Sequence, residues 1–184
     1  MDCGRRDSAE CRPRGPPRTV LGHHRLSSLI SLRPIDPSNY QECIALSVAP
    51  DQQRFVASNL QSLADAYAWR EAAETYAVYA DEEMVGFGLL FPFADGADDD
   101  AIPEPGTERG YIIVRLMVDH RFQGHGYGRA ALDAILDLVR GRGLGAVRLS
   151  VVPQNVQALE FYRRNGFAET GEIHGGEIVM ERQL

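Results

Sequence analysis

Residues 118–132 read Val-Asp-His-Arg-Phe-Gln-Gly-His-Gly-Tyr-Gly-Arg-Ala-Ala-Leu, so a strand-like apolar run feeds a glycine-rich turn that opens directly into an amphipathic helix. Glycine tolerates the left-handed backbone region and leaves no Cβ to obstruct a ligand that approaches the main chain. The first N–H groups of a helix have no carbonyl partner within it, and the helix dipole adds partial positive charge there. Gly124, Gly126 and Gly128 with the helix that follows therefore predict an anion site suited to a phosphate or pyrophosphate.

Two familiar phosphate loops fit poorly. A Walker loop requires Gly-Lys-Ser/Thr to reach the terminal phosphates, and this chain has no lysine, all 19 of its basic residues being arginine. A dinucleotide fingerprint matches the spacing of Gly126-Tyr-Gly128-Arg-Ala-Ala131, but it needs an acidic residue about 20 positions later to hold the ribose. The neighbourhood in question is Ala146-Val-Arg-Leu-Ser150, without a carboxylate.

The rest of the chain alternates strands and helices. Leu29–Arg33 is the first expected strand. Asp36-Pro37 supplies an N-cap and N1 pair for a helix to Ser47, and a second helix is expected across Asp51–Glu71, broken near 57–60. Thr75–Ala80, the turn Asp81-Glu-Glu83, and Met84–Phe91 form a hairpin of β-branched and aromatic residues. Ala94–Glu108 is a loop of Gly, Pro and acids. Gly110–Val118 is the strand before the glycine turn, and Gly126–Arg140 is the helix after it, with Ala131, Ile135, Leu138 and Val139 facing the sheet. Ala146–Val152 then lies parallel to the earlier strand by the strand-helix-strand rule. A helix over Val156–Asn165 and strands near Phe167–Glu172 and Glu177–Arg182 complete an α/β (α+β) domain over 29–184.

Two stretches together carry a family resemblance. Gln123-x-x-Gly126-x-Gly128 is followed, at appropriate spacing, by Leu149-Ser-Val-Val-Pro-Gln-Asn155 and Ala158-Leu-Glu-Phe-Tyr-Arg-Arg-Asn-Gly-Phe167. The pair resembles the signatures of the Gcn5-related N-acetyltransferases. Val48-Ala49, Gln52, Phe55-Val-Ala-Ser-Asn59, Ser62-Leu-Ala64, Thr170-Gly-Glu-Ile173 and Gly176-Glu-Ile-Val-Met180 are further similar to bacterial spermine/spermidine (diamine) N-acetyltransferases. The resemblance implies a mixed, mostly antiparallel sheet of six to seven strands with splayed central parallel strands, flanked by about four helices.

It also implies acetyl-CoA as cosubstrate, held at Gln123, Gly124, His125, Gly126, Tyr127, Gly128 and Arg129. Strand backbone at Leu116, Met117 and Val118 would bond the pantetheine arm, since amide groups left bare at a sheet gap need partners. Asn155 would contact that arm, and also suits an N-cap for the next helix. By resemblance Tyr162 is the catalytic residue, a phenol with an ordinary pKa near 10 that donates to the departing sulfur. The histone-modifying branch carries a glutamate base where this chain has Ile112, so that base is absent here. Glu83, Glu108, Glu172 and Glu177 are candidates for deprotonating or holding an ammonium, and Tyr111 for offering it an aromatic face.

Charge agrees with a cationic small-molecule acceptor. Six arginines and three acids fall within residues 1–28, leaving 13 arginines against 23 acids in the domain. Such a surface disfavours nucleic acid and anionic membrane and steers cations inward. Residues 1–28, rich in Arg, Pro and Gly, read as a disordered leader. The longest nearly uncharged run, Met84–Ala94, is too short for a bilayer span. Cys3, Cys11 and Cys43 form no Cys-x-x-Cys pair, which suits a reducing cytoplasm, and neither they nor His23-His24 have metal-ligand spacing. The partner expected is a small cationic amine, with a homodimer allowed by the resemblance. The favoured activity is polyamine acetylation. The alternatives are another acceptor, such as an antibiotic amine or a protein N-terminus, and a non-catalytic acyl-CoA-binding regulatory module.

Overall fold

A computed structural model describes residues 29–94, 102–104 and 106–184. The expected leader, with Cys3, Cys11 and His23-His24, lies outside the described residues, as does most of the loop expected over 94–108. Seven strands form one sheet: β1 (Ile30–Pro34), β2 (Glu74–Ala80), β3 (Glu83–Phe93), β4 (Gly110–Val118), β5 (Ala146–Val151), β6 (Ala168–His174) and β7 (Glu177–Gln183). Their spatial order is β1-β2-β3-β4-β5-β7-β6. Neighbours run antiparallel except β4 and β5, which are parallel. Four α-helices accompany them among the described residues: α1 (Tyr40–Ala45), α2 (Asn59–Ala68), α3 (Tyr127–Gly141) and α4 (Val156–Arg164).

The sheet is covered on both faces. On one, Leu132, Ile135, Leu136 and Val139 of α3 and Leu159 of α4 pack on Leu90, Ile113, Val147 and Leu149. On the other, Cys43 of α1, Leu46 and Ala66 of α2 pack on Ala77, Phe87, Leu89 and Met117. Each large aliphatic side chain removed from water in these layers contributes about 1.5–3 kcal/mol. The α3 face differs at three positions from the expected set: Leu132 and Leu136 are also buried and Leu138 only partly, because the buried stripe is wider than the residues first assigned. No described helix is long and apolar enough to cross a membrane.

Two helix starts also differ from expectation. Asp36 does not cap a helix beginning at Pro37. Its carboxylate accepts from Ser38 N–H at 2.7 Å, its carbonyl accepts from Asn39 and Tyr40 N–H, and the chain makes a turn before α1. Asp51 to Val56 is not helical either. Successive turns run from Ala49 through Gln52 to Phe55, and the helix begins where Ser58 Oγ accepts from Gln61 N–H. A local side-chain cap is a sharper start signal than apolar spacing, and here it overrides that spacing.

The parallel pair is closed at one end only. β4 and β5 are in register from Gly110↔Ala146 to Ile113↔Leu149 and no further. At Gly110 they are so close that a Cβ would sit 2.0 Å from the Ala146 carbonyl oxygen. Val114 is then skipped in the pairing of β4 with β3, Ile113 facing Leu90 and Arg115 facing Leu89, which is a β-bulge. A bulge bends its strand and adds twist, and beyond it β4 and β5 part.

Candidate functional site

The gap left by the parting strands opens into a cleft of about 620 Å³. Its walls are Leu116, Met117 and Val118 of β4, the loop residues Gln123, Gly124 and Gly126, Gly128 and Arg129 of α3, and Asn155, Ala158, Phe161 and Tyr162 at α4. Val48, Gln52 and Phe55 close it from the α1–α2 connection, where Asp51 is the one carboxylate among the described lining residues.

Two glycines of the turn hold left-handed backbone, Gly124 at φ 80° and Gly126 at φ 89°, and a Cβ on either would project into open space. Gly126 is the N-cap of α3. Gly128 is already helical, and having no Cβ it leaves the rim beside Val118 open. The N–H groups of residues 124–129 donate to no described group; the first engaged donor is Ala130 N–H, which bonds the Gly126 carbonyl at 3.1 Å. No acidic residue stands in the first turn of α3. Unsatisfied donors converging on a dipole's positive end form an anion cradle.

The loop is pinned from beneath. Asp119 caps the 3-10 turn at His120–Phe122 and is almost wholly buried. Its carboxylate accepts from Arg121 Nε at 2.7 Å, Arg121 N–H at 3.0 Å and Ser47 N–H at 2.8 Å. Burial alone would raise this carboxyl, but these donors outweigh it and hold it below the usual range. Gln123 and Gln52 exchange side-chain amide bonds of 2.8 and 3.1 Å, and Gln123 also donates to the Val118 carbonyl at 3.0 Å. The α1–α2 connection and the glycine loop are thus fastened to each other by two separate clamps. The buried Asp119 was missed by sequence reasoning, although Asp at a strand end before a polar turn is a recognisable cap signal.

Asn155 accepts from Ala158 N–H at 3.2 Å as the N-cap of α4, and it also lines the cleft. Tyr162 lies between Phe161 and Phe167, ring centroids 5.1 and 5.5 Å away in edge contacts. Its phenol has no hydrogen-bond partner among the described residues, and burial pushes its pKa up to about 12, so it carries its proton across the physiological range.

Not every expected residue reaches the cleft. His125 is exposed and stacks on Tyr127 at 6.2 Å, and neither lines it. Tyr111 lies at the closed end of β4 and donates to Glu74 at 2.6 Å. Glu83 and Glu172 are exposed on β3 and β6 and neither lines the cleft, and Glu108 accepts from Gly106 N–H at 2.7 Å. Glu177 accepts from Ser150 Oγ, and Ser150 borders a second, smaller cavity of about 290 Å³.

That smaller cavity lies on the α2 side of the sheet where the strands begin to part. Its wall includes Trp69 and Ala72 behind α2, Phe91 and Ile112 on the strands, and the pair Arg115 and Arg148. Arg148 is ion-paired with Glu181. Arg115 had escaped notice, although one arginine inside the apolar run Tyr111–Val118 was a visible signal.

Comparison with known proteins gives consistent matches. The Acetyltransferase (GNAT) family profile matches residues 45–167. A spermine/spermidine N(1)-acetyltransferase of Bacillus subtilis is 26% identical over 158 residues, covering 84% of this chain and 99% of that one. Among solved structures, Ard1 from Thermoplasma volcanium superposes with a TM-score of 0.61 at 22% identity, covering 85% of this chain and 98% of that one. The PaiA N-acetyltransferase from Thermoplasma acidophilum, solved with coenzyme A, gives 0.59 at 17% identity over 84% and 99% of the two chains. The profile spans more than half of the sequence and the fold agrees, and the chain belongs to the GNAT family of acetyltransferases.

Proposed function

We propose that the protein transfers the acetyl group of acetyl-CoA to a primary amine of a small cationic molecule by direct attack. The observation that carries this reading is the run of unengaged N–H groups at 124–129, set beside strand backbone that β5 no longer pairs. The residues present fit a diphosphate joined to a peptide-like arm: the loop offers donors to the anion, and Leu116 to Val118 offer a strand edge to the amides. When bound, acetyl-CoA supplies an activated thioester.

The chain's own part is to orient and to move one proton. The amine nitrogen bonds the acetyl carbon as the carbon–sulfur bond breaks. Tyr162, kept protonated by burial, donates its phenol proton to the leaving sulfur, the role of a general acid, and is reprotonated through solvent as the nitrogen gives up its second proton on becoming an amide. The attacking ammonium must first lose a proton, since alkylammonium groups titrate near 10. With Ile112 at the position where the histone-modifying branch carries its glutamate, that proton leaves to water.

The finer assignment, a polyamine such as spermidine or spermine, draws on the names of the Bacillus relatives, on the acid excess of the domain and on Asp51 at the cleft. A second reading, an amine that also bears an oxygen, is favoured by Arg115 in the smaller cavity.

Calorimetry and thiol release test the core of the proposal. Acetyl-CoA should bind the full chain, and Gly126→Val, which forces a β-branched residue into left-handed backbone, should weaken that binding roughly tenfold or more, for about 1–3 kcal/mol of strain. Thiol should appear only when an amine is added. Absence of acetyl-CoA binding by the wild-type protein refutes the proposal, and binding without thiol release on any amine points to a regulatory module instead.

A further inference from the structure

Arg115 is the one described residue with a buried side-chain polar atom that lacks any hydrogen-bond partner: its Nε–H. Its Nη1 is used on the Val114 carbonyl at 2.7 Å, across the bulge that parts the strands. Arg115 pairs with Leu89 in the β3–β4 ladder, and Leu89 packs in the core on the α1–α2 face. The guanidinium therefore belongs to the smaller cavity, on the opposite face from α3 and where β4 and β5 begin to part.

A guanidinium has donors and no acceptor, so the missing partner must be an oxygen, and a cation gains most from an anionic one. Leaving such a donor buried and unpaired is costly. No carboxylate is among the described residues lining this cavity, and its second arginine, Arg148, is already committed to Glu181. Ile112, Ile113, Val114, Leu149, Phe91 and Trp69 make the wall apolar. A polycation inserted here would meet a like charge and no counter-charge.

We infer that the smaller cavity binds a small apolar amine bearing a carboxylate, and that Arg115 selects it by donating from its guanidinium to that carboxylate. The inference rests on the proposed transfer to a primary amine and replaces the polyamine by an amino-acid-like acceptor. The apolar body fills the cavity, whose volume falls at the small end of the range for ligand sites, and the amine is left toward the gap between β4 and β5.

The test compares acceptors that differ by one group, using the full chain and acetyl-CoA with thiol release as readout. L-Phenylalanine should exceed phenethylamine, the same body without the carboxylate, in kcat/KM by roughly ten- to a hundredfold, the scale of one charge-assisted hydrogen bond. Arg115→Leu should collapse that ratio toward one, and Arg115→Lys should restore part of it. Acetyl-CoA binding by both variants, measured by calorimetry, confirms that they fold. A chemistry-free arm uses 3-phenylpropionate, which has the body and the carboxylate but no amine. It should raise the melting temperature of the wild type and not that of Arg115→Leu.

Equal use of phenylalanine and phenethylamine overturns the inference while leaving amine transfer intact, as does preference for spermidine with the same rank order in Arg115→Leu. If no amine releases thiol yet 3-phenylpropionate stabilises the wild type alone, the carboxylate site stands and the transfer reading falls. If neither effect is seen, both fall.

Discussion

At its first residues β4 is zipped to β5 so tightly that Gly110 has no space for a Cβ, whereas past Val114 the same two strands have parted and their facing edges carry no mutual bonds. The chemistry around the two ends differs in the same sense. At the closed end Glu74 accepts from Tyr76 and Tyr111 at 2.6 Å each and from both terminal nitrogens of Arg142 at 2.7 and 2.8 Å. Arg109 and Arg148 converge on Glu181. At the open end the N–H groups of 124–129, the Tyr162 phenol and Arg115 Nε–H have no described partner. Saturated polar groups hold a fold together, and unsatisfied ones are available to a ligand. The contrast teaches that stability and binding are assigned to opposite ends of one strand, separated by a single bulge.

The sharpest way to break this division is at the closed end. Gly110→Val sets a branched side chain against the Ala146 carbonyl and Phe93, and a clash with backbone has no cheap relief. The expected outcome is loss of the cooperative thermal transition. A melting curve close to that of the wild type would show that the zipped register is not required.

Tyr162→Phe addresses the open end and should spare stability. Turnover is expected to fall by about 10²–10⁴, the range of a general acid, with acetyl-CoA affinity retained by calorimetry. Because burial holds the phenol near 12, ionisation of Tyr162 should not depress the rate below about pH 11. Unchanged turnover in Tyr162→Phe removes the residue from that role.

The smallest effect expected is that of Glu74→Gln. Burial tends to raise the Glu74 carboxyl, but Arg142, Tyr111 and Tyr76 outweigh it and lower it from its ordinary 4.5. A carboxyl depressed on folding contributes fully above its unfolded pKa, and the contribution is lost as pH falls through the lower folded value. Glu74→Gln should therefore cost on the order of 2 kcal/mol near neutrality and shrink toward no difference in strong acid. Melting temperatures across pH 2–7 check both parts, and turnover should be unaffected because Glu74, at the start of β2, bonds the closed end of β4 and does not line the cleft.

Much of this was legible in the chain. The order of strands and helices follows from hydrophobic period and breakers, and the glycine turn announced both its left-handed backbone and its free donors. The misread starts of α1 and α2 are instructive because Asp36 and Ser58 are both good caps, and only the local bonds they make decide which one opens a helix. Asp119 and Arg115 were readable as charges in apolar surroundings, but their partners, or lack of them, were not. Glu74 gave no signal, since it meets Tyr111 and Arg142 only across the folded sheet.

By itself the sequence determined the family and the glycine turn with its free donors, because these depend on motif spacing and on backbone preferences. Only tertiary structure decided that Gln52 would pair with Gln123 from a distant loop, that the bulge at Val114 would part β4 from β5, and that Arg115, beside an apolar cavity, would be left with a buried donor unpaired. Those are matters of which groups find a partner once the chain has closed, and satisfaction of a buried donor is a property of its surroundings rather than of the residue that carries it.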